Sequence, residues 1–411
     1  MRKQLFKESF WTTTFVMVSM YLLSFIEFNS DIVNPLSKAL SDFELTDVVF
    51  SHMRENPGVD DRITMVNIGN LDRRGIAALI EQINTHHPKV IGIDAFFRHL
   101  KTNSLEELES DSLLALALSK VNHMVMVSEM HENPEKNTID SVEISHPKFM
   151  QFAESGFADM ITEGRDFFKT SRSCSPTEIV NKKKTLSFPV KMAFLYDSVK
   201  TKRFLARGNP TEVINFQGNI DTRKEGVSAN SKIVFTAIDW QQVLDTLYEP
   251  SVFENKIVIM GYMGDYIGHH TWEDKFFTPL NSNYVGKANP DMYGVVVHAN
   301  IVAMILKGQY INDMSKWINT PISLILIFLN VWLFSYLFIK LEMYYDGATF
   351  FLTIIEIMLL IIVVLFIFDR YNYRVDITLP SIALALTGNL IEIYYGLIKP
   401  LYNKIVNKIV H

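Results

Sequence analysis

The chain has 411 residues, of which 48% are hydrophobic, and its formal net charge is −6 at pH 7. This acidic balance gives no basic footprint for nucleic acid, so a nucleic-acid-binding protein is not expected. The single cysteine, Cys174, excludes an internal disulfide framework and a cysteine-rich metal site. Its polar, serine-rich surroundings favour a free thiol at the surface.

Four apolar stretches approach the length of about 20 residues that a helix needs to cross a membrane. They are residues 10–28 near the N-terminus and residues 317–339, 350–368 and 377–397 near the C-terminus. The first stretch lacks a small-residue cleavage site, so we predict an uncleaved anchor, the alternative being a cleaved signal peptide.

Lysines and arginines lie in both terminal tails, and such residues favour the cytoplasmic side of a membrane. Four spans also place both tails on the same side. The sequence therefore predicts five parts: a cytoplasmic tail (1–9), a transmembrane anchor (10–28), an extracytoplasmic domain (29–316), a three-helix transmembrane bundle (317–397) and a basic cytoplasmic tail (398–411).

Between the membrane segments, short apolar runs alternate with stretches of helical periodicity. This alternation is typical of an α/β fold, here a mixed, largely parallel sheet with crossover helices. Strands are predicted at 63–68, 90–93, 124–127, 232–236 and 257–260, and helices at 72–84, 111–120 and 239–247. Residues 291–306 are predicted to begin as a strand or turn and to end as a helix that enters the membrane.

Asp94 directly follows the predicted strand at 90–93. In open α/β sheets, ligands bind beyond the carboxyl ends of the strands, so Asp94 is a candidate for binding a cation or a ligand's hydrogen-bond donor. The alternative is structural, with the carboxylate capping the backbone turn that follows.

The loop after the strand at 257–260 is a second candidate. Gly261 and Gly264 permit close approach of a ligand to the backbone, and Asp265 and Thr278 supply polar groups. The glycines do not have the spacing of a dinucleotide-binding fingerprint. We expect the segment 261–278 to lie with Asp94 at one edge of the sheet.

His298 and Asn300 belong to the sequence VVVHANI and complete the predicted ligand site. His298 can titrate near neutral pH, although a buried histidine bonded to a loop carbonyl is the simpler interpretation. A zinc site formed by His269 or His270 with Asp274 has no recognised ligand pattern. We therefore predict no metal and no cofactor, and, since no nucleophile–base set is visible, no enzymatic activity.

Inside the predicted membrane helices, Glu356 is costly unless it faces another helix, a cavity or a partner. Asn330, Asn389 and Glu392 are the other polar residues predicted to make helix contacts. A proton path through Glu356 is the alternative to helix or subunit packing.

Several motifs together resemble the CHASE domain family, type two, over roughly residues 45–310. They are HPKVIGIDAFF within residues 72–97, ENKIVIMGYMGD at 254–265, FFTPL at 276–280 and YGVVVHANIVAMILKG at 293–308. The resemblance implies an extracytoplasmic bacterial sensory domain followed by three membrane helices. It further implies a multi-pass protein of the bacterial inner membrane, with the large domain in the periplasm or outside.

Members of this family usually carry a cytoplasmic output domain, whereas here only residues 398–411 follow the last predicted span. We therefore expect a sensory or binding protein without its own output domain, which signals or assembles through a partner. The alternative is a structural subunit of a membrane complex. The expected partners are membrane lipid and either identical or other protein subunits; the sequence does not identify the ligand.

Overall fold

The computed structural model describes residues 2–23, 44–133, 138–163, 169–221, 232–281 and 289–410. The chain forms two compact units. Residues 38–311 form an α/β unit, and residues 1–37 together with 312–411 form a helical unit. Each unit is described by itself.

In chain order the strands are β1 (Ile63–Asn67), β2 (Val90–Asp94), β3 (Met124–Asn133), β4 (Thr138–Ile144), β5 (Glu154–Phe157), β6 (Ile161–Glu163), β7 (Thr170–Cys174), β8 (Thr177–Val180), β9 (Lys183–Leu186), β10 (Glu212–Val213), β11 (Thr236–Asp239), β12 (Ile257–Gly261), β13 (Lys275–Phe276), β14 (Met292–Tyr293), β15 (Asn312–Asp313) and β16 (Tyr373–Arg374). The helices are α1 (Arg2–Leu23), α2 (Leu45–Val48), α3 (Arg73–Asn84), α4 (Leu105–Ser119), α5 (Pro147–Met150), α6 (Phe188–Tyr196), α7 (Ser198–Leu205), α8 (Trp240–Leu244), α9 (Gly294–Lys307), α10 (Lys316–Leu341), α11 (Tyr345–Tyr371), α12 (Thr378–Ile393) and α13 (Lys399–Val410).

The main sheet of the α/β unit has seven strands in the order β11-β1-β12-β2-β3-β4, with β5 also pairing with β3. Every pairing is parallel except that of β3 with β4. The prediction of a mixed α/β fold with a largely parallel sheet is therefore confirmed. β12 is the last strand of this sheet in chain order, and it lies in the middle of the sheet between β1 and β2.

Helices cover both faces of this sheet. The apolar side of α3 packs with α4 on one face, and Asp72 caps α3 by accepting a hydrogen bond from the backbone N–H of Gly75 at 2.8 Å. Helices α6 and α9 pack on the opposite face. The candidate site described below lies on this side of the sheet, which α6 and α9 cover.

Helix α9 differs from its prediction. Its residues from Gly294 to Leu306 are buried within the α/β unit, and it ends at Lys307, where Gly308 adopts a left-handed conformation with φ of 66°. A helix that is apolar on all sides belongs either in a protein core or in a membrane. Here it is a core helix, so the prediction that it enters the membrane was wrong.

Two further predictions are corrected. The strand expected at 232–236 lies instead at Thr236–Asp239, because the apolar residues before it pack in the core without joining the main sheet; Ile233 makes only an isolated bridge to Asn219. Cys174 is a free thiol but it is buried in β7, and burial raises its pKa to about 12. The serine-rich stretch around it is a strand of a small antiparallel sheet and not an exposed loop.

In the helical unit, α10 packs against α12, α12 against α11, and α1 against both α10 and α12. Among the described residues, two helical runs are long and apolar enough to cross a membrane, Lys316–Tyr371 and Thr378–Asn407. The first run contains α10 and α11, joined by a short turn at Glu342–Tyr344. The end of the predicted anchor, residues 24–28, lies outside the described residues.

Candidate functional site

The last residues of four neighbouring parallel strands form a row at the carboxyl edge of the main sheet. Asp239 of β11 pairs with Asn67 of β1, Asn67 with Gly261 of β12, and Gly261 with Asp94 of β2. Gly261 is required here because a Cβ atom would lie 2.8 Å from the side chain of Val295 in α9 and 3.3 Å from the Cβ of Asp94. The row therefore lies against the start of α9.

Asp94 is the most unusual group in this row. Its side chain is 20% exposed, and one carboxylate oxygen lies 3.9 Å from Nε2 of His298, which is too long for a hydrogen bond. Within the described part of the chain, the carboxylate accepts no hydrogen bond, so the turn cap considered as an alternative is not seen. Burial and the nearby charge of Asp274 raise the pKa of Asp94 to about 7.

Asp274 approaches the same place from the loop after β12. Its backbone carbonyl accepts a hydrogen bond from the N–H of Gly294 at 2.9 Å. A Cβ atom at Gly294 would lie 3.2 Å from its carboxylate, so this acid sits at the first residue of α9. Asp274 is an exposed residue, but desolvation of its carboxylate, and then the charge of Glu273, raise its pKa to about 6.

His298 lies one turn further along α9 and is buried, with its ring edge-to-face against Phe188 at 5.3 Å. Its Nδ1 has no hydrogen-bond partner among the described residues, so the bond to a loop carbonyl considered as an alternative is not seen. Burial lowers the pKa of His298 to about 3. The imidazole is therefore neutral at physiological pH.

Two carboxyl groups and a neutral imidazole thus converge on the N-terminal turn of α9. Carboxyl groups whose pKa values lie near neutrality can ionise when a positively charged group binds, and they can accept a hydrogen bond. Across the described ranges, no three potential ligand side chains are close enough together to hold a metal ion. The geometry is suited to a ligand that brings a cationic or hydrogen-bond-donating group.

Asn67, which sequence reasoning missed, fixes the loop above this edge. Its Oδ1 accepts hydrogen bonds from the backbone N–H groups of Gly69 (3.0 Å) and Met263 (2.8 Å). Its Nδ2 donates to Asp239 (2.8 Å) and to the carbonyl oxygen of Gly264 (2.9 Å). The signal in the sequence that could have identified Asn67 is a polar residue at the end of a buried strand.

The remaining predicted ligand residues have structural contacts. Thr278 donates its hydroxyl to Asp291 at 2.6 Å. Asn300 is fully buried, accepts from the N–H of Gln217 and donates to the carbonyl oxygen of Gly218. The side chain of Asp265 is largely exposed and accepts from Asn70 at 2.5 Å. The structure therefore brings Asp94, Gly261 and His298 together and leaves these three residues outside the cluster. The seventh predicted residue, Gly264, contributes its carbonyl oxygen to the hydrogen bond from Asn67.

The CHASE2 domain family matches residues 40–339, which is most of the chain and includes every strand of the main sheet. The chain belongs to the CHASE2 domain family. The resemblance inferred from the motifs is thereby confirmed. CHASE2 is a family of extracytoplasmic sensory domains, which is consistent with a sensor role for this chain. Neither a curated protein nor a solved structure matches the chain significantly.

A buried segment of the CHASE2 domain, residues 212–218, holds its first and last parts together. Near the start of the domain, Arg54 donates to Oδ1 of Asn215. Asn215 in turn donates through Nδ2 to the carbonyl oxygen of Gln309, near the end of the domain, at 2.9 Å. Arg207, paired with Glu212 at 2.6 Å, also donates to the carbonyl oxygen of Ile311. These bonds join the two ends of the domain through one segment.

In the helical unit, the structure places Asn330 and Glu356 in contact, with Nδ2 donating to the carboxylate at 2.5 Å between α10 and α11. Asn389 and Glu392 lie on the exposed side of α12. One predicted pair therefore lies between helices of this unit, and the other faces outward.

Proposed function

We propose that the protein is a membrane-anchored sensor whose CHASE2 domain binds a small ligand between Asp94 and His298. The observation that carries this proposal is the 3.9 Å gap between a partly buried carboxylate and a buried imidazole, neither of which has a hydrogen-bond partner within the described ranges. A buried polar group without a partner costs free energy on the order of 1–3 kcal/mol. A ligand that donates hydrogen bonds to them from one side of the pair offsets this cost.

The ligand is proposed to carry a cationic or hydrogen-bond-donating group, such as an amine. Asp94 and Asp274 attract positive charge, and the neutral ring of His298 has one nitrogen that accepts and one that donates a hydrogen bond. The proposed role is binding, without catalysis.

Four membrane spans with both tails in the cytoplasm are part of the proposal. Helices α10 and α11 support it, because each is long enough at about 1.5 Å per residue to cross a bilayer. Nζ of Lys399 lies 2.9 Å from the carboxylate of Glu8. The beginning of α1 and the end of α12 are therefore at the same end of the helical unit, as an even number of spans requires.

Signal transfer is proposed to run through the membrane helices to a second copy of the chain or to another protein subunit. Asn389 and Glu392 support this, because polar side chains on the outside of a membrane helix are costly in lipid and favourable at a helix–helix contact. A ligand shifts such an assembly only if it binds two states of the domain unequally.

The test is ligand binding by the full chain in phosphatidylcholine nanodiscs. Amino acids, polyamines and amino sugars are titrated calorimetrically at pH 7. We expect at least one to bind, with an affinity reduced about tenfold or more in Asp94→Asn and His298→Gln. Asp265→Asn is the matched control, since Asp265 is largely exposed and lies outside the cluster. Equal binding by Asp94→Asn and the unmodified protein would contradict the proposal.

A protein-binding platform is the second candidate function, and exposed leucines favour it. On α4, the side chain of Leu105 is 86% exposed, and those of Leu108 and Leu116 are also exposed. An apolar stripe on a soluble surface is typical of a protein contact. Replacing Leu105 and Leu116 with serine would abolish partner capture under this alternative and leave ligand binding at Asp94 unchanged.

A further inference from the structure

A second cleft in the CHASE2 domain has a volume of about 680 Å³, within the range of small-molecule sites. It lies between the β8–β9 hairpin and the turn that leads from α7 to β10. Ile179, Lys182 and Lys184 line one side, and Phe204, Asn209 and Glu212 line the other. None of the residues at the sheet edge contributes to it.

Both acidic groups in this cleft accept hydrogen bonds, but within the described ranges only Glu212 is ion-paired. Glu212 accepts hydrogen bonds from Arg207 at 2.6 Å and from Asn209 at 3.0 Å, and Glu178 accepts one from the hydroxyl of Ser175 at 2.5 Å. The two lysines of the cleft differ from these acidic groups, because they have no such partners in the described part of the chain.

Lys182 and Lys184 are exposed and have no ion-pair or hydrogen-bond partner among the residues that the structure describes. The chain as a whole carries a net charge of −6. Two lysines without partners in these described residues lie beside one carboxylate, Glu178, whose partner is a neutral hydroxyl, so the cleft has a local excess of positive charge.

The hairpin turn holds one of these lysines in an uncommon conformation. Asn181 and Lys182 have φ values of 49° and 64°, as a two-residue turn of type I′ requires. Asparagine suits such a position, but lysine adopts positive φ rarely and at a cost in free energy. The turn thereby places Lys182 at the rim of the cleft that Lys184 also lines.

We propose that this cleft binds an organic anion, with a carboxylate, sulfonate or phosphate group between Lys182 and Lys184. The apolar body of the ligand packs on Ile179 and Phe204, which supply the hydrophobic contacts of the cleft. This site differs from the sheet-edge site in both place and charge, and it does not depend on the function proposed above. With this cleft, the domain binds a second ligand, whose charge is opposite to that of the ligand proposed for Asp94 and His298.

The neighbouring Lys183 provides a matched control. Successive residues of a strand point to opposite sides, and Lys183, although exposed and on the same hairpin, does not line the cleft. The variants Lys182→Gln/Lys184→Gln and Lys183→Gln therefore test position as well as charge. Because all three side chains are exposed, thermal unfolding of both variants should match that of the unmodified protein.

The experiment is equilibrium dialysis of the full chain in phosphatidylcholine nanodiscs, with empty nanodiscs as the blank. The probes are 1-naphthoate, naphthalene-2-sulfonate and 1-naphthyl phosphate, and uncharged 2-naphthol is the reference. We expect saturable binding of at least one anion at one site per chain, stronger than that of 2-naphthol. The affinity should fall at least tenfold in Lys182→Gln/Lys184→Gln and stay within twofold in Lys183→Gln.

Two results would overturn the proposal. One is the absence of saturable binding by all three anions. The other is an equal loss of affinity in Lys183→Gln and in Lys182→Gln/Lys184→Gln, because that result would indicate general attraction to a basic surface.

Discussion

Asp94 and Asp274 hold their protons more tightly in the folded domain than in an unfolded chain, since burial disfavours their charged forms. For an acid whose pKa is raised on folding, the stabilising contribution is complete below the unfolded pKa, about 4. It is lost as pH rises through the folded values, here about 6 and about 7. The domain should therefore lose stability between pH 4 and pH 8 from these groups.

Replacing Asp94 with asparagine removes one of these titrations. We expect Asp94→Asn to differ least from the unmodified protein near pH 4 and to be more stable at pH 8 by about 1–2 kcal/mol, a value reduced for the partial exposure of this side chain. Thermal unfolding followed by circular dichroism across this range measures the difference. The exposed Asp61→Asn serves as the control, and parallel pH profiles for Asp94→Asn and the unmodified protein would refute the expectation.

The sequence allowed part of this cluster to be predicted. Asp94 and Gly261 follow recognisable buried strands, and His298 lies in a family motif, so strand ends and motifs led to the correct edge of the sheet. Asp274 was named as a metal ligand and otherwise only as part of the segment 261–278, because its place at the start of α9 depends on a long loop whose path no local pattern indicates. Thr278 and Asn300 were grouped with them, but the structure gives both of them structural hydrogen bonds instead, and such buried polar residues resemble ligand residues in sequence.

At the scale of helices, the contact between α10 and α11 depends on Asn330 and Glu356. Asn330 is buried, and its Oδ1 has no partner in the described part of the chain. Polar pairs between membrane helices contribute on the order of 1 kcal/mol, and an unpaired amide in lipid costs more than a paired one. The pair therefore favours one arrangement of these helices.

Replacing Glu356 with leucine should weaken or alter the assembly of the membrane helices while the CHASE2 domain still folds. Leucine leaves the amide of Asn330 without an acceptor, whereas Glu356→Gln keeps one and is the matched control. Thermal unfolding of the purified protein in mild detergent, followed by circular dichroism, measures the stability of the helices and the folding of the CHASE2 domain. An unchanged stability in Glu356→Leu would count against this role.

Helices and strands differed in how well the sequence predicted them. Helix α3 was predicted closely because its apolar periodicity and its cap at Asp72 agree. The strand at 232–236 was displaced, because an apolar run indicates burial and does not indicate which strand it pairs with. Helix α9 was assigned to the membrane because apolar residues on every side are equally typical of a protein core.

At the scale of the whole molecule, the positions of the two tails can be tested with reporters. The proposed four spans place a fusion at Lys340 in the cytoplasm and a fusion within residues 133–148 on the other side. Alkaline phosphatase, which is active only after export, should be inactive at the first site and active at the second. A fluorescent protein that folds only in the cytoplasm should give the reverse pattern. An inactive phosphatase within residues 133–148 would exclude this topology.

The hydrogen bonds of Asn215 have a consequence for how such a domain can spread among proteins. Arg54 and Gln309 both contact this one side chain, so a segment near the start of the α/β unit and a segment near its end lie close together. A domain whose ends nearly coincide can be exchanged as a cassette, because its insertion leaves the flanking segments close together. Genetic recombination at one short junction is then enough to give a different membrane protein this domain, or to remove it.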